Sequence, residues 1–367
     1  MRLAVDLSVL EQPVTGIGHV VLGLYGACAK IAPGWEFCGI HRRRLQCDLS
    51  SQWHDMRWLP WMPGPVWRAV GLRLYGYVGQ PAVMHFPWNG GVLRPHPDCL
   101  TVLTLHDVIP LALADLYFSS EREQEGYRRA VQRQLNRSDV VVTDSEASKR
   151  DILRFLKPRN EPVVIRSGNS LSPGAVRGMA EPRPARYYLY YGGYEKRKDL
   201  GFLVRVFSEL HRNRQVECPL VLVGQPRFDI SSDFELLVTE ARASGAVIVA
   251  GYVSDAELVG WLQGARALIY PSRYEGFGLP PLEAMTFGCP VITTRAGSIP
   301  EVCGDAALYF SPGHGEECAQ AICRVDRDEA LREELRRRGR EQASKFSWDQ
   351  SARTFLEVIA TGLAARG

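Results

Sequence analysis

Short apolar runs alternate with amphipathic stretches of helical period along almost the whole chain, and this alternation most limits the fold. The runs at 2–9, 82–87, 100–105, 139–143 and 163–165 read as strands, with helices at 19–31, 121–136 and 146–156 between some of them. Residues 168–186 then break the pattern with prolines, glycines and charges and no apolar period. Beyond them the alternation restarts, with strands at 187–191, 219–224, 247–249, 265–270, 291–294 and 306–310. Strands separated by helices pair in parallel, so the chain is α/β, with two parallel sheets in two Rossmann-like domains. The expected division is 1–180, 181–345 and a final helical segment, 346–367. A cleft between two such domains is a common place for a substrate.

Composition agrees and excludes several classes. A chain of 367 residues exceeds one ordinary core, and 46% apolar with 23% charged residues is the balance of a folded protein. No apolar run is long enough to span a bilayer, and Asp6 interrupts the first apolar run, which argues against a signal peptide. The nine cysteines are scattered without a CxxC pair, so neither a disulfide framework nor a zinc site is indicated, and a reducing cytoplasm fits. Basic residues outnumber acidic ones in the first half. That excess reads as ordinary surface charge or as attraction to an anionic substrate or membrane surface. Nothing points to nucleic acid. The Trp- and Arg-rich segment 58–75 reads either as a packed helix with snorkelling arginines or as a face for a lipid interface.

The residues that carry chemistry lie in loops after strands, where open α/β sheets bind ligands. Gly16 and Gly18 precede the first helix, where small residues let a backbone approach a ligand closely. Their spacing misses the third glycine of a dinucleotide fingerprint. His106 and Asp107 follow the strand 100–105, and Ser145 reads first as a helix cap. Gly192 and Gly193 lead into Lys196-Arg197-Lys198, which is either a solvated charge run or a clamp for a diphosphate.

The stretch 265–286 is the most informative. An apolar strand runs into Pro271-Ser-Arg-Tyr-Glu275-Gly-Phe-Gly278-Leu-Pro-Pro-Leu-Glu283-Ala-Met, where the prolines suit a helix start. Strand, glycine loop and helix N-terminus together form an anion site. The two glutamates suit hydroxyl groups instead, so the stretch fits a ligand bearing both phosphates and hydroxyls. A hydrolytic acid/base pair is the alternative, disfavoured because Glu283 falls inside the helix and Glu275 before it. Asp326-Arg-Asp328 reads as a helix cap, so no metal is expected.

These residues resemble the retaining glycosyltransferases of family 4, which have the GT-B fold. Glu275-Gly-Phe-Gly-Leu-Pro-Pro-Leu-Glu283 is similar to their E-x7-E motif. Agreeing segments run in the family's order: Thr15-Gly-Ile-Gly18, Leu105-His-Asp-Val-Ile-Pro110, Asp144 to Asp151, Gly193 to Asp199, Gly251 to Glu257 and Ile299 to Asp305.

The resemblance implies a role at each matching position. Glu275, with Gly276, Phe277 and Gly278, would contact the donor sugar, beside His106 near the reaction centre. Gly16, Gly18, Arg197, Lys198, Gly278 and Leu279 would hold the diphosphate. Glu283 would hold the ribose, with Gly224 and Tyr252 as further nucleotide contacts. His106, Arg197, Lys198 and Glu275 would form the catalytic group. Many relatives carry arginine where Gly193 stands, which throws phosphate binding onto Arg197 and Lys198. The resemblance further implies front-face retaining transfer without metal or cofactor, and a C-terminal helix crossing back to the first domain.

The wording is most similar to bacterial mannosyl- and rhamnosyltransferases of polysaccharide assembly. It implies GDP-mannose as donor and a lipid-linked or oligosaccharide acceptor, at the inner face of the cytoplasmic membrane. A UDP-sugar or GDP-rhamnose donor, or a nucleotide-sugar epimerase or hydrolase on the same fold, is the alternative.

Overall fold

The computed structural model describes residues 1–366 apart from 13, 15, 48, 50–52, 90, 93–95, 172–182 and 226–230. Thr15 of the glycine motif, most of the connector expected at 168–186 and the expected division after residue 180 therefore lie outside the described residues. The chain forms two compact units, Met1–Gly168 with Phe346–Gly367, and Asn169–Lys345.

The first unit is built on seven parallel strands: β1 (Arg2–Asp6), β2 (Glu36–His41), β3 (Trp53–Arg57), β4 (Val83–Phe86), β5 (Leu100–Thr104), β6 (Val140–Thr143) and β7 (Val163–Val164). Their order is β3-β2-β1-β4-β5-β6-β7. The side-chain alternation of a strand explains the core on both faces. Leu3 and Val5 join a cluster with Tyr25, Phe37 and Trp53, while Ala4 points to the opposite cluster with Trp67, Tyr75 and Phe86. The last helix, Trp348–Ala364, adds Phe355 and Ile359 to the first cluster, with the Phe355 ring edge-on to Tyr25 at 5.8 Å.

Two local expectations shift. The strand expected over 2–9 ends at Asp6, whose Oδ1 accepts the Ser8 N–H at 3.0 Å and turns the chain into a 3-10 helix, Ser8–Glu11. The first helix begins at Gly16 rather than His19. Glycine is a poor helix former, so propensity alone delays the start.

The second unit holds six parallel strands: β8 (Tyr188–Tyr191), β9 (Leu220–Val223), β10 (Val247–Gly251), β11 (Leu268–Tyr270), β12 (Val291–Thr294) and β13 (Ala307–Phe310). Their order is β10-β9-β8-β11-β12-β13. The chain builds outward from β8 through β9 and β10, then crosses to place β11 on the other side of β8. The loops after β8 and β11 therefore diverge, which opens a crevice at the carboxyl ends of these strands. Side-chain caps start the helices around it. Ser254 and Glu257 form a reciprocal capping box on Asp255–Gly264, and Asp328 caps Glu329–Ala343 through the Leu331 N–H.

Candidate functional site

In the second unit the two diverging loops bring the basic residues and Glu275 together. After β8 the chain passes Gly192 and forms a single 3-10 turn, Lys196–Lys198. Only Lys196 of that charge run faces water; Lys198 is buried. Arg197 places Nη1 2.5 Å from Oε1 of Glu275 and Nη2 2.9 Å from Oε2 of Glu195. The Lys198 ammonium lies 5.9 Å from the centre of the Tyr270 ring.

Glu275 is the centre of this arrangement. Its Oε1 accepts from the Tyr270 hydroxyl at 2.7 Å and from Ser272 Oγ at 2.8 Å, besides Arg197. Burial pushes its carboxyl up, but the charges of Arg197 and Lys198 and the two hydroxyls outweigh burial and hold it below the usual range. The group is thus an anion, with both hydrogen bonds and the Arg197 ion pair on one oxygen. Oε2 accepts none among the described residues, which leaves a carboxylate oxygen able to take a hydroxyl from a ligand.

The loop carrying Glu275 is fastened from the far side. Ser298 Oγ donates to the carbonyls of Glu275 at 3.0 Å and Phe277 at 2.6 Å, and the Ser298 N–H reaches the Glu275 carbonyl at 3.1 Å. Gly297 has a φ of 59°, and a Cβ there would stand 2.3 Å from the Glu275 carbonyl oxygen. From the β8 side, the Arg273 N–H donates to the Arg197 carbonyl at 2.7 Å.

Gly278 is the N-cap of the helix Leu279–Thr286, with a φ of 104°. Pro280 and Pro281 have no N–H, so the donors at this helix start come from Gly278 and Leu279. Glu283 is buried one turn further on, with Oε2 on the hydroxyl of Tyr191, the last residue of β8. Burial raises its carboxyl to about 7, against the lowering effect of that hydroxyl. Gly224 follows β9, where a Cβ would stand 2.2 Å from the Gly192 carbonyl oxygen, so close backbone packing already requires glycine there. Tyr252 follows β10 and is 74% exposed.

The first unit carries the remaining candidates. Gly16 and Gly18 lie in the first turn of the helix Gly16–Ile31. A Cβ on Gly18 would meet Val14 at 3.0 Å and Leu10 at 3.1 Å, so that glycine also serves packing. His106 follows β5 and is buried, with Nδ1 2.6 Å from Oδ2 of Asp144 and Nε2 3.0 Å from the Pro87 carbonyl. Burial lowers its pKa, but the Asp144 charge and these two acceptors outweigh it and raise the ring to about 9. It is an imidazolium with both N–H groups already donated. It can offer a ligand charge, but no ring hydrogen bond without giving one up. Ser145 caps the helix Glu146–Phe155 through the Ser148 N–H.

Sequence reasoning missed Tyr191, Tyr270, Ser272, Ser298 and Asp144, which orient the carboxylates and the imidazole. Tyr191, Ser298 and Asp144 come from other strand ends or a distant loop, and only pairing of strands brings them to their partners. Tyr270 and Ser272 stood in the same stretch as Glu275, five and three residues before it.

Two parallel-sheet Rossmann-like units, with an acidic and basic constellation at the switch point of the second, are the architecture of a GT-B glycosyltransferase. The family model for "Glycosyl transferases group 1" matches residues 178–342. Over 264 residues the chain is 30% identical to O-antigen chain mannosyltransferase B of Escherichia coli, covering 70% of this chain and 68% of that one. The chain belongs to the group 1 glycosyl transferases.

It is also 26% identical over 269 residues to the serotype-specific mannosyltransferase WbdA of Escherichia coli, of whose length the match covers only 33%, with 70% of this chain. Among solved structures, sucrose-phosphate synthase of Thermosynechococcus elongatus superposes with a TM-score of 0.78 at 20% identity, covering 99% of both chains. WaaG, a glycosyltransferase involved in lipopolysaccharide biosynthesis, gives 0.74 at 16% identity, covering 97% of this chain and 99% of that one. Both likenesses bear on the fold alone.

Proposed function

We propose that this glycosyltransferase moves mannose from GDP-mannose, with retention at the anomeric carbon, to a lipid-linked or oligosaccharide acceptor of bacterial polysaccharide assembly. The observation that supports transfer chemistry is the trio of Arg197, Lys198 and Glu275 at the β8 and β11 loop ends. The names of the mannosyltransferase relatives support mannose as the sugar and a polysaccharide acceptor.

In this reading the second unit binds the donor. Glu275 Oε2 accepts a sugar hydroxyl, and Glu283 accepts from the ribose. Arg197 and Lys198 face the diphosphate, with the Gly278 and Leu279 N–H groups beside it. Gly276 and Phe277 border the sugar, and Gly224 and Tyr252 the base. The first unit binds the acceptor, with Gly16 and Gly18 approaching the phosphates and His106 contributing positive charge near the sugar. The acceptor oxygen bonds to the anomeric carbon as the bond from that carbon to the phosphate oxygen breaks. The acceptor proton passes to the departing phosphate, so the products are the mannoside and GDP. Charge accumulating on the phosphate is met by Arg197 and Lys198, the electrostatic contribution that usually dominates such a rate. The reading requires no metal and no cofactor, and it places the protein at the cytoplasmic face of a membrane.

A thermal-shift panel of GDP-, UDP-, ADP- and TDP-sugars tests the donor, because a ligand bound to the native state raises its stability. GDP-mannose is expected to give the largest shift. A larger shift with a UDP-sugar overturns that donor. Incubation without acceptor tests transfer: rapid consumption of the nucleotide sugar would instead indicate an epimerase or hydrolase. Transfer unaffected by a chelator is expected, and its loss overturns metal independence.

A further inference from the structure

The helical segment after β3 is apolar on both faces. It runs from Gly64–Val66 through a π turn, Trp67–Gly71, closed by the Leu72 N–H on the Trp67 carbonyl, into Leu72–Gly79. One face is core: Trp67, Leu72 and Tyr75 are almost fully buried with Met62 and Phe86. The other face carries Val66, Val70, Leu74 and Val78 at intervals of four, with Tyr77 beside them, and all are exposed. Val78 is 70% exposed, and Trp61, just ahead of the helix, is 75% exposed. A helix at a protein–water boundary ordinarily turns charged residues outward, and one that is apolar all round is normally covered. A continuous exposed stripe of this kind marks an interaction surface.

The charges around the stripe decide what covers it. From Met56 to Pro97 the sequence has no aspartate or glutamate. Arg68 and Arg73 lie exposed on the helical segment itself. The Arg42 loop adjoins its start, with Nη1 of Arg42 3.4 Å from the Met62 carbonyl and Nε of Arg57 3.2 Å from the Arg42 carbonyl. Arg43 and Arg44 of that loop are exposed. The acids bordering this stretch each have a partner: Glu11 accepts the N–H groups of Arg42 and Arg43, Asp55 lies 3.3 Å from His41, and Asp98 lies 3.6 Å from His96, whose ring packs edge-on to Tyr77. An apolar stripe with exposed Trp and Tyr and a cationic border matches the interface of an anionic bilayer. Among the described residues no helix is long and apolar enough to cross a membrane, so contact through this face would be peripheral.

We infer that the face formed by Trp61, Val66, Val70, Leu74, Tyr77 and Val78 docks on an anionic lipid surface, with Arg73 and the 42–44 loop against the headgroups. The inference deepens the lipid-linked-acceptor reading by naming the surface. Its test reads vesicle binding alone, so its failure and a failure of sugar transfer are told apart.

The experiment is flotation of the full chain with phosphatidylcholine vesicles, with and without phosphatidylglycerol. Severalfold more protein is expected on the anionic vesicles, falling as salt is raised. The triple variant Val70→Ser, Leu74→Ser, Val78→Ser is expected to lose binding with little change in melting temperature, because these residues are 45–70% exposed and lie outside the core. Arg73→Glu, which leaves the stripe intact, is expected to weaken binding to anionic vesicles only. Equal flotation of wild type and triple variant overturns the inference, as does absence of wild-type binding. Self-association abolished by the triple variant, without vesicle binding, overturns it in favour of a second copy of the chain.

Discussion

Arg197 Nη1 and Glu275 Oε1 are 2.5 Å apart, and this pair joins the loop after β8 to the loop after β11. Both side chains are largely shielded from water, at 16% and 9% exposure, so neither charge is balanced by solvent. Breaking such a pair by removing one member strands the other. Arg197→Ala is therefore expected to lower stability by on the order of 3 kcal/mol, read from denaturant midpoints. An unchanged midpoint would show that the two charges are not coupled.

Lys198 is the second cation, held under the Tyr270 ring and close to Gly192. It acts on Glu275 through charge, and in the proposed reaction it meets the diphosphate. Lys198→Ala is expected to reduce transfer by about 10²-fold or more, the usual cost of losing a preorganised electrostatic group. Its circular dichroism should match the wild type. Full activity in that variant removes Lys198 from the phosphate clamp.

In the proposed reading, in which Glu283 holds the ribose, nucleotide binding depends on pH. Burial holds its carboxyl at about 7 in the folded protein, against about 4.3 when unfolded. The folded pKa is raised, so its contribution to stability is complete below about pH 4 and is lost as pH rises through about 7. The ligand effect has the opposite sign, because ribose hydroxyls donate better to the carboxylate. GDP affinity is expected to strengthen as pH rises from about 6 to about 8, and Glu283→Gln to lose that dependence. Tyr191→Phe removes the donor that lowers the group and is expected to move the transition to higher pH. Titration calorimetry across this range decides. A flat affinity in the wild type would contradict the ribose assignment.

The sequence was informative where local chemistry dominates. The apolar strand runs, Ser145 and Asp328 as caps, the loop positions of Arg197 and Glu275, and Glu283 inside the helix that follows could be read directly. It was silent where pairing between distant segments decides. Lys196-Arg197-Lys198 reads as one charge run, yet the fold exposes Lys196 and buries Lys198, because only strand order places Gly192 and Tyr270 around the latter. His106 reads as an available side chain. Asp144 and the Pro87 carbonyl, supplied by the ends of β6 and β4, take both its N–H groups. Val9 and Leu10 extend the apolar pattern of β1, but the Asp6 side chain turns the backbone first.

Gly297 shows that the Glu275 loop is shaped from outside its own motif. Its positive φ disfavours any side chain, and a Cβ would collide with backbone rather than with a flexible group. Gly297→Ala is expected to lower stability by about 1–3 kcal/mol and to displace Glu275, reducing kcat more than donor affinity. Ser298→Ala, which removes the one O–H shared between the Glu275 and Phe277 carbonyls, should cost about 1 kcal/mol. A Gly297→Ala variant with wild-type stability and turnover would show that the loop does not depend on this clamp.

His106 and Asp144 form a buried pair in the first unit whose charge state sets a pH window for stability. Asp144 raises the imidazole to about 9, against about 6.5 when unfolded. The raised value means the folded state holds the proton more tightly. The stabilisation is complete below about pH 6.5 and is lost as pH climbs through about 9. Asp144→Asn is expected to cost on the order of 3 kcal/mol at about pH 6, with the difference from wild type narrowing steadily towards about pH 10. Urea midpoints of both proteins at matched pH values measure it. A difference that stays constant across the window would mean that Asp144 acts on His106 as a neutral hydrogen-bond acceptor rather than as a charge.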